Sequence, residues 1–553
     1  GVVFDLNVWD DETCADDPTQ PPGTDVATLK RLLRAAYDQF GGAGVIHVAG
    51  FVPWAYKYTT HRHAAGSAGG THAAVPAEWR CAEILSCFNA YLDADALGLG
   101  AMANASFYQH YPLAPRYPQP PKPTRETLAA RGLLDADGRI EPKIFVAHYV
   151  GDYDAAAWLC HKLPEMWRDP ARGQIPLSWA FNPNLCERFP LGMAWARERA
   201  SANDWFVAGD SGAGYLNPGN LTPPRVHSGL PSGLDAWARH CRRFYERFDI
   251  TLTGFIIDGY APGLSEEALD AYAHFSPDGI VAQNIPKQGL HRGMPFLRMR
   301  MDLPDSAEEA ARALCSLRHR TGPQFAVCRS ILKTPTWYAR VADHVRQQCG
   351  DAIQFVDLYT LLALVREWER NRETRPVSAF TSATEVSASP DHAHGLAALY
   401  VTDGPFGLVE TEGVRCWRVS RHEPSHYLYF DIDDGFAKAS GGTVEIELRY
   451  LDTGEGRIVL EYDAVDIDAP HGGAYKPHPL VLRRDNSRQW RTAVFRLTDG
   501  RFEGRQNGEA DFRIFNGGDD LQMNSVVVRP ARVHRIWENT GPGTVRSVPS
   551  TMA

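Results

Sequence analysis

The spacing of apolar and polar positions changes twice along the chain. Over residues 1–123 it predicts a strand at VVFDL, an amphipathic helix over 24–40, an apolar strand over 44–51, a helix over 76–92 and a strand over 101–108. The proline-rich stretch YPLAPRYPQPPKPT, residues 111–124, then reads as an extended linker. From 143 to 370 short apolar runs alternate with runs at helical spacing. Eight of them read as strands: KIFVAHYV, IPLSWAF, DWFVAG, LTGFIID, GIVAQN, PFLRMRM, QFAVCRS and IQFVDL. Helices are expected over 153–167, 234–248, 265–275, 306–318 and 336–348. Alternating β and α units in that number predict a (β/α)8-type barrel. The connection over 285–295 is too short for a full helix, so a distorted barrel or an open doubly wound sheet stands as the alternative.

From 396 to 530 the helical period disappears. Alternating strands such as TVEIELRY, RIVLEYD and WRTAVFRL are separated by turn clusters such as DTGEG and NGGDD, which predicts a β-sandwich of jelly-roll character. The expected fold class is therefore α/β plus all-β. An N-terminal α/β domain spans 1–125, a (β/α)8-like catalytic barrel 140–372 and a carbohydrate-binding-like β-sandwich 394–532. Residues 375–393 are expected to be a linker, and those after 532 a tail.

Composition narrows the function classes. With 44% hydrophobic and 22% charged residues in 553, the chain is globular and long enough for several cores. A formal net charge of -10 gives no electrostatic reason to approach a phosphate backbone, so no nucleic acid partner is expected. No run of eighteen apolar residues predicts a membrane span. The chain opens on VVFDL without a targeting run, so the expectation is a periplasmic or extracellular protein whose leader has been removed, with a cytoplasmic one as the alternative. None of the ten cysteines forms a C-x-x-C pair, and Cys81, Cys160, Cys241 and Cys328 read as small buried hydrophobes.

Candidate chemistry collects where the strands turn polar, since the carboxyl ends of barrel strands are where loops converge. Asp258 follows three apolar residues, and partial desolvation there would raise its pKa towards that of a general acid. Asp210 ends the preceding strand, roughly 5 Å away if the two strands are neighbours. Two carboxylates so placed are the usual equipment of glycosidic bond hydrolysis. Asp152 competes for the same role, and Asp357 ends the eighth strand. Aromatic Trp54, Tyr58, Trp179 and Tyr215 are candidates to stack on sugar rings. Lys57, Asp154, Asn182, Tyr260, Gln283, Asn284 and Arg329 are candidates to bind hydroxyls. His61, His63 and His72 lie in an Ala/Gly-rich loop without an acidic motif, so no catalytic metal and no required cofactor are expected. Structural calcium in the sandwich is allowed.

The stretch GAGYLNP, residues 212–218, resembles the signature of the GxGYxYP family of putative glycoside hydrolases, with Asn217 in place of the second tyrosine. GFVPWAYKYT, YVGDYD and PLSWAFNP fit the same resemblance, which covers roughly residues 1–370. It implies an accessory α/β domain followed by a barrel-like domain acting on carbohydrate. It marks Gly212, Gly214, Tyr215 and Pro218 in the signature, and Trp54, Lys57 and Tyr58 in the N-terminal segment. The sandwich resembles the jelly-roll domains that trail carbohydrate-active enzymes. The resulting expectation is a glycoside hydrolase acting on a poly- or oligosaccharide, with Asp258 and Asp210 as the carboxylate pair and Asp152 third. The alternatives are a non-catalytic carbohydrate-binding protein and a polysaccharide lyase using Tyr215 with His148.

Overall fold

A computed structural model describes residues 24–48, 77–92, 107, 109–153, 155–259, 261–317, 322–371, 375, 377–422 and 426–531. Trp54, Lys57, Tyr58, His61, His63, His72, Asp154 and Tyr260 lie outside the described residues, as does the side chain of Asp152.

In the N-terminal region the helices Thr24–Gln39 and Ala77–Ser86 accompany two short parallel strands, Ile46–Val48 and Ala90–Leu92. The helix expected over 76–92 stops early. Buried Arg225 takes the Ser86 carbonyl at 2.9 Å and Asn89 Oδ1 at 2.8 Å, and Asn89 turns with a positive φ of 56°. The apolar residues that follow, Ala90–Leu92, continue as strand and are buried.

All eight strands expected over 143–370 are present, as parallel members of two sheets. In the six-stranded sheet the order runs Met301–Asp302, Gln324–Ile331, Ile144–Tyr153, Leu177–Phe181, Asp204–Val207, and Ile353–Phe355 pairs with the start of Ile144–Tyr153. The second sheet runs Leu252–Ile256, Gly279–Ala282, Met294–Arg298 and Gln288–His291, the last antiparallel. That antiparallel hairpin is what the short connection over 285–295 forms. The expected single closed eight-stranded ladder is thus replaced by two sheets. They are stitched at one edge by Ala208 N to Leu252 O and Gly254 N to Ala208 O, and at the other by Met299 N to Ala282 O and Arg300 N to Val327 O.

Strand alternation sorts the side chains into two layers. Phe145, Ala147 and Tyr149 share one buried cluster with Val207, Phe255 and Val327. The helix Leu358–Arg370 adds Leu361, Leu362 and Val365 to that cluster and covers the end away from the strand tips. Their neighbours Ile144 and Val146 face the helices Ala307–Cys315 and Pro335–Cys349, which a disulfide joins at Cys315 and Cys349. The cysteine pattern had given no sign of this bond. Cys81, Cys241 and Cys328 are buried as expected, and Cys160 is half-buried.

Between 386 and 530 lie a seven-stranded and a five-stranded antiparallel sheet sharing one core that includes Val386, Trp417, Phe430, Ile446, Phe495 and Phe512. The first strand, Val386–Ser389, falls inside the stretch expected to be linker, and the second, His392–His394, begins in it. This antiparallel unit is packed firmly onto the parallel sheets. Leu399, Tyr400, Val401 and Tyr429 share a buried cluster with Val146, Leu314 and Cys328. Burial of several large apolar side chains across one boundary is worth about 1.5–3 kcal/mol per side chain, so the two units hold a fixed relation.

Candidate functional site

The signature loop leaves the strand Asp204–Val207 through Asp210, whose φ is 45°, and two glycines at φ 92° and 107°. A Cβ on Gly212 would stand 2.3 Å from the Tyr245 hydroxyl, and one on Gly214 would stand 2.9 Å from the Leu92 carbonyl. Only glycine combines that backbone with that closeness. The approach lets Tyr215 N donate to Leu92 O at 2.9 Å and Asn217 N to Ser86 Oγ at 2.8 Å. The loop is therefore a clamp between the N-terminal strands and the parallel sheets. Asn217, where the signature has its second tyrosine, donates from Nδ2 to the carbonyls of Ile257 (3.0 Å) and Asp258 (3.2 Å). It fixes the strand tip that carries Asp258.

Asp258 is fully buried. Its Oδ2 accepts from the Asn284 N–H at 3.1 Å, while Oδ1 has no hydrogen-bond partner among the described residues. Burial pushes the carboxyl up to about 7, and the Asn284 bond opposes this only in part. Asp210 is also buried, at 5% exposure. Tyr272, whose hydroxyl donates to Ser211 O at 3.1 Å, stands near both acids: burial raises its phenol first, and the charges of Asp258 and Asp210 add to the rise. The structure thus brings the two expected carboxylates around one tyrosine.

Next to Asp258, though lined by neither carboxylate, a cavity of about 1610 Å³ opens at the carboxyl ends of the strands Leu252–Ile256, Gly279–Ala282, Met294–Arg298, Met301–Asp302 and Gln324–Ile331. Phe255, Ile257, Gln283, Asn284, Met299 and Arg329 line it from the parallel sheets. Asp403, Tyr475, Glu503 and Asn507 line it from the antiparallel unit. Arg329 grips Asp302 with two bonds of 2.7 and 2.8 Å, and the nearly buried Arg300 is ion-paired with Glu509 across the boundary. Thr402 Oγ1 donates to Asp302 O at 3.0 Å. Hydroxyl-binding groups, an aromatic ring and oriented charges in one concavity are what a sugar chain requires. Among the described residues no group of three or more His, Cys, Asp or Glu side chains is poised to hold a metal.

The structure sorts the other expected residues. Gln283, Asn284 and Arg329 line the cavity, with Asn284 linking it to Asp258. Trp179 does not: it is fully buried, packs on Trp167 at 4.9 Å and donates from Nε1 to Asp204 at 2.9 Å. Its partner acid is buried too, so the ring was committed to the core. Tyr215 is half-buried and packs, with Ile46 and Val48, against the N-terminal cluster that includes Leu85. Asn182 is fully buried, and its amide has no hydrogen-bond partner among the described residues. Asp357 caps the helix Leu358–Arg370, accepting from Thr360 N at 2.8 Å. His148 is buried against Tyr338 and Phe355, which drives its pKa down to about 3, and it belongs to a different part of the core from Tyr215. The lyase pair is not assembled. Asp302, Asp403, Tyr475, Glu503 and Asn507 were not expected. Four of them come from a unit more than a hundred positions downstream of most of the strand tips, and no local pattern in sequence reports that contact.

No curated protein matches the chain. Among solved structures, one described as a putative hydrolase from Bacteroides thetaiotaomicron aligns with TM-score 0.39 and 16% identity over 53% of this chain, which spans 55% of that chain's length. A putative polysaccharide deacetylase from Mycobacterium smegmatis aligns with TM-score 0.29 and 10% identity over 42% of this chain and 93% of its own. A carbohydrate-binding module specific for non-crystalline cellulose aligns with TM-score 0.15 and 11% identity over 25% of this chain and 86% of its own. Residues 142–371, which hold the six-stranded and four-stranded sheets together with Asp210, Asp258 and the signature loop, match the family described as the GxGYxYP putative glycoside hydrolase C-terminal domain.

Proposed function

We propose that this chain is a carbohydrate-active hydrolase that cleaves glycosidic bonds at the strand tips carrying Asp210 and Asp258. The observation that carries the reading is Asp258, a carboxyl whose pKa is raised to about 7 by burial, one hydrogen bond behind the cavity wall at Asn284. A general acid must hold its proton at working pH and give it to the departing glycosidic oxygen. Asp210, beside the same tyrosine, is the second carboxylate and acts as nucleophile or as base towards water. Asp152, at the tip of Ile144–Tyr153, is the third. The match of residues 142–371 to the GxGYxYP putative glycoside hydrolase C-terminal domain supports a carbohydrate substrate.

On this reading the two stitched parallel sheets are the halves of a distorted (β/α) barrel, and the antiparallel unit is a jelly roll roofing its mouth. The disulfide Cys315–Cys349 supports an oxidising compartment, periplasmic or extracellular. The pH dependence of kcat/KM tests the acid. Activity should fall as pH rises through about 7, as Asp258 loses its proton. A rate unchanged between pH 6 and 9 would overturn the assignment.

A further inference from the structure

The outer face of the five-stranded sheet carries an ordered strip of rings and guanidinium groups that starts at the cavity. Tyr475 lines the cavity, and the Arg513 guanidinium stacks on it at 4.3 Å and on Tyr427 at 3.8 Å. Phe515 lies 5.5 Å from Tyr427, and Arg457 covers Phe515 at 5.6 Å. Tyr427, Phe515, Val459 and Val481 stand side by side in register on four neighbouring strands. At about 4.8 Å between strands this row is roughly 14 Å wide. At its far end a second cavity, of about 620 Å³, is lined by Arg457, Val481 and Arg483.

The strip is rigid. Arg513 is ion-paired with Glu461 and donates to Tyr429 Oη at 2.7 Å, Tyr429 donates to Asp403 at 2.7 Å, and Asn507 Nδ2 donates to the same Asp403 oxygen at 2.9 Å. Asn507 is joined in turn to Tyr475 by two bonds of 2.9 and 3.0 Å. The half-exposed Tyr475 ring, fixed in this way, loses little freedom when a ligand arrives. Sugar rings pack on the ring surface that the guanidinium groups leave exposed, and an arginine at its margin such as Arg457 meets their hydroxyls.

Building on the carbohydrate reading above, we propose that this face is the continuation of the substrate site: one stretch of a polysaccharide occupies the large cavity, and the chain leaves it across Tyr475, Tyr427 and Phe515 to the second cavity. The substrate class is then a polymer rather than a short oligosaccharide. The continuity of the strip with the cavity at Tyr475 and Arg513 selects this occupant.

Isothermal titration of the full-length Asp258→Asn chain tests it, using β-glucan, arabinoxylan, polygalacturonate and chondroitin sulfate with trisaccharides cut from each. A polymer should bind more tightly than its trisaccharide. Phe515→Ala or Arg457→Ala should weaken the polymer about three- to tenfold and leave the trisaccharide within about twofold. Leu408→Ala, on an exposed position of the other sheet, should change neither. Length-independent affinity, or polymer binding untouched by both face variants at unchanged melting temperature, would overturn this inference alone. Failure of every glycan to bind would overturn the carbohydrate reading with it. Dimerisation of the wild-type chain that Phe515→Ala abolishes would give the face to a second copy instead.

Discussion

Asp258→Asn isolates the cost of holding a carboxyl in a dry site. The carboxyl rises from an ordinary 3.8 to about 7, and desolvation is the leading cause. At about 1.4 kcal/mol per pKa unit, the ionised form is penalised by about 4 kcal/mol relative to the unfolded chain. Between pH 3.8 and 7 the unfolded chain has released this proton and the folded chain still holds it, so stability falls as pH rises through that window. Below 3.8 the contribution is flat, and above about 7 the loss is complete. Asparagine keeps an oxygen for the Asn284 N–H and places an uncharged group where Oδ1 has no described partner. The variant should therefore escape the penalty. Thermal denaturation of both proteins at half-unit steps from pH 4 to 8 gives the difference directly. The variant should gain on the wild type steadily as pH rises, by up to about 4 kcal/mol at pH 8. Parallel curves across that range would refute the argument that Asp258 is buried and protonated.

Gly214→Ala should lower stability by about 1–3 kcal/mol from its backbone conformation alone, and by more because the new Cβ meets the Leu92 carbonyl; faster amide exchange at Tyr215 N would mark the release of the clamp. Reducing Cys315–Cys349, or replacing both residues by Ser, should cost about 4 kcal/mol for a separation of 34 residues, read as a lower melting temperature with the far-ultraviolet spectrum retained.

The parallel strands were legible because each is a short apolar run ending in a polar residue, a pattern that burial on both faces imposes. Asp258 and Asp357 carried the same signal, three apolar residues and then an acid or nearly so, with different outcomes. Thr360 lies three positions after Asp357, and its N–H and hydroxyl both bond to that carboxylate, making it a helix cap. Among the described residues no such donor to the Asp258 carboxylate follows it. Aromatic residues were the least legible. Trp179 and Tyr475 are alike as sugar platforms until their partners are known, and Trp179 is claimed by Asp204, a buried acid twenty-five residues away. The signature loop reads as a ligand loop from its composition. Its glycines serve close packing against Leu92 and Tyr245, and its contribution to the site passes through Asn217 and Asp210. The roof of the cavity was out of reach because the antiparallel unit looked like a separate appendage, while Tyr400, Tyr429 and Leu399 bind it to the strands by burial.

Release of reducing ends from a panel of polysaccharides by the wild-type, Asp258→Asn and Asp210→Asn chains tests the central claim most directly. Wild-type protein should release them from at least one polymer, and both variants, with melting temperatures no lower than the wild type at pH 7, should lose turnover by at least about a hundredfold, as expected for loss of a positioned acid or its partner. Asp258→Asn turning over near the wild-type rate would contradict it.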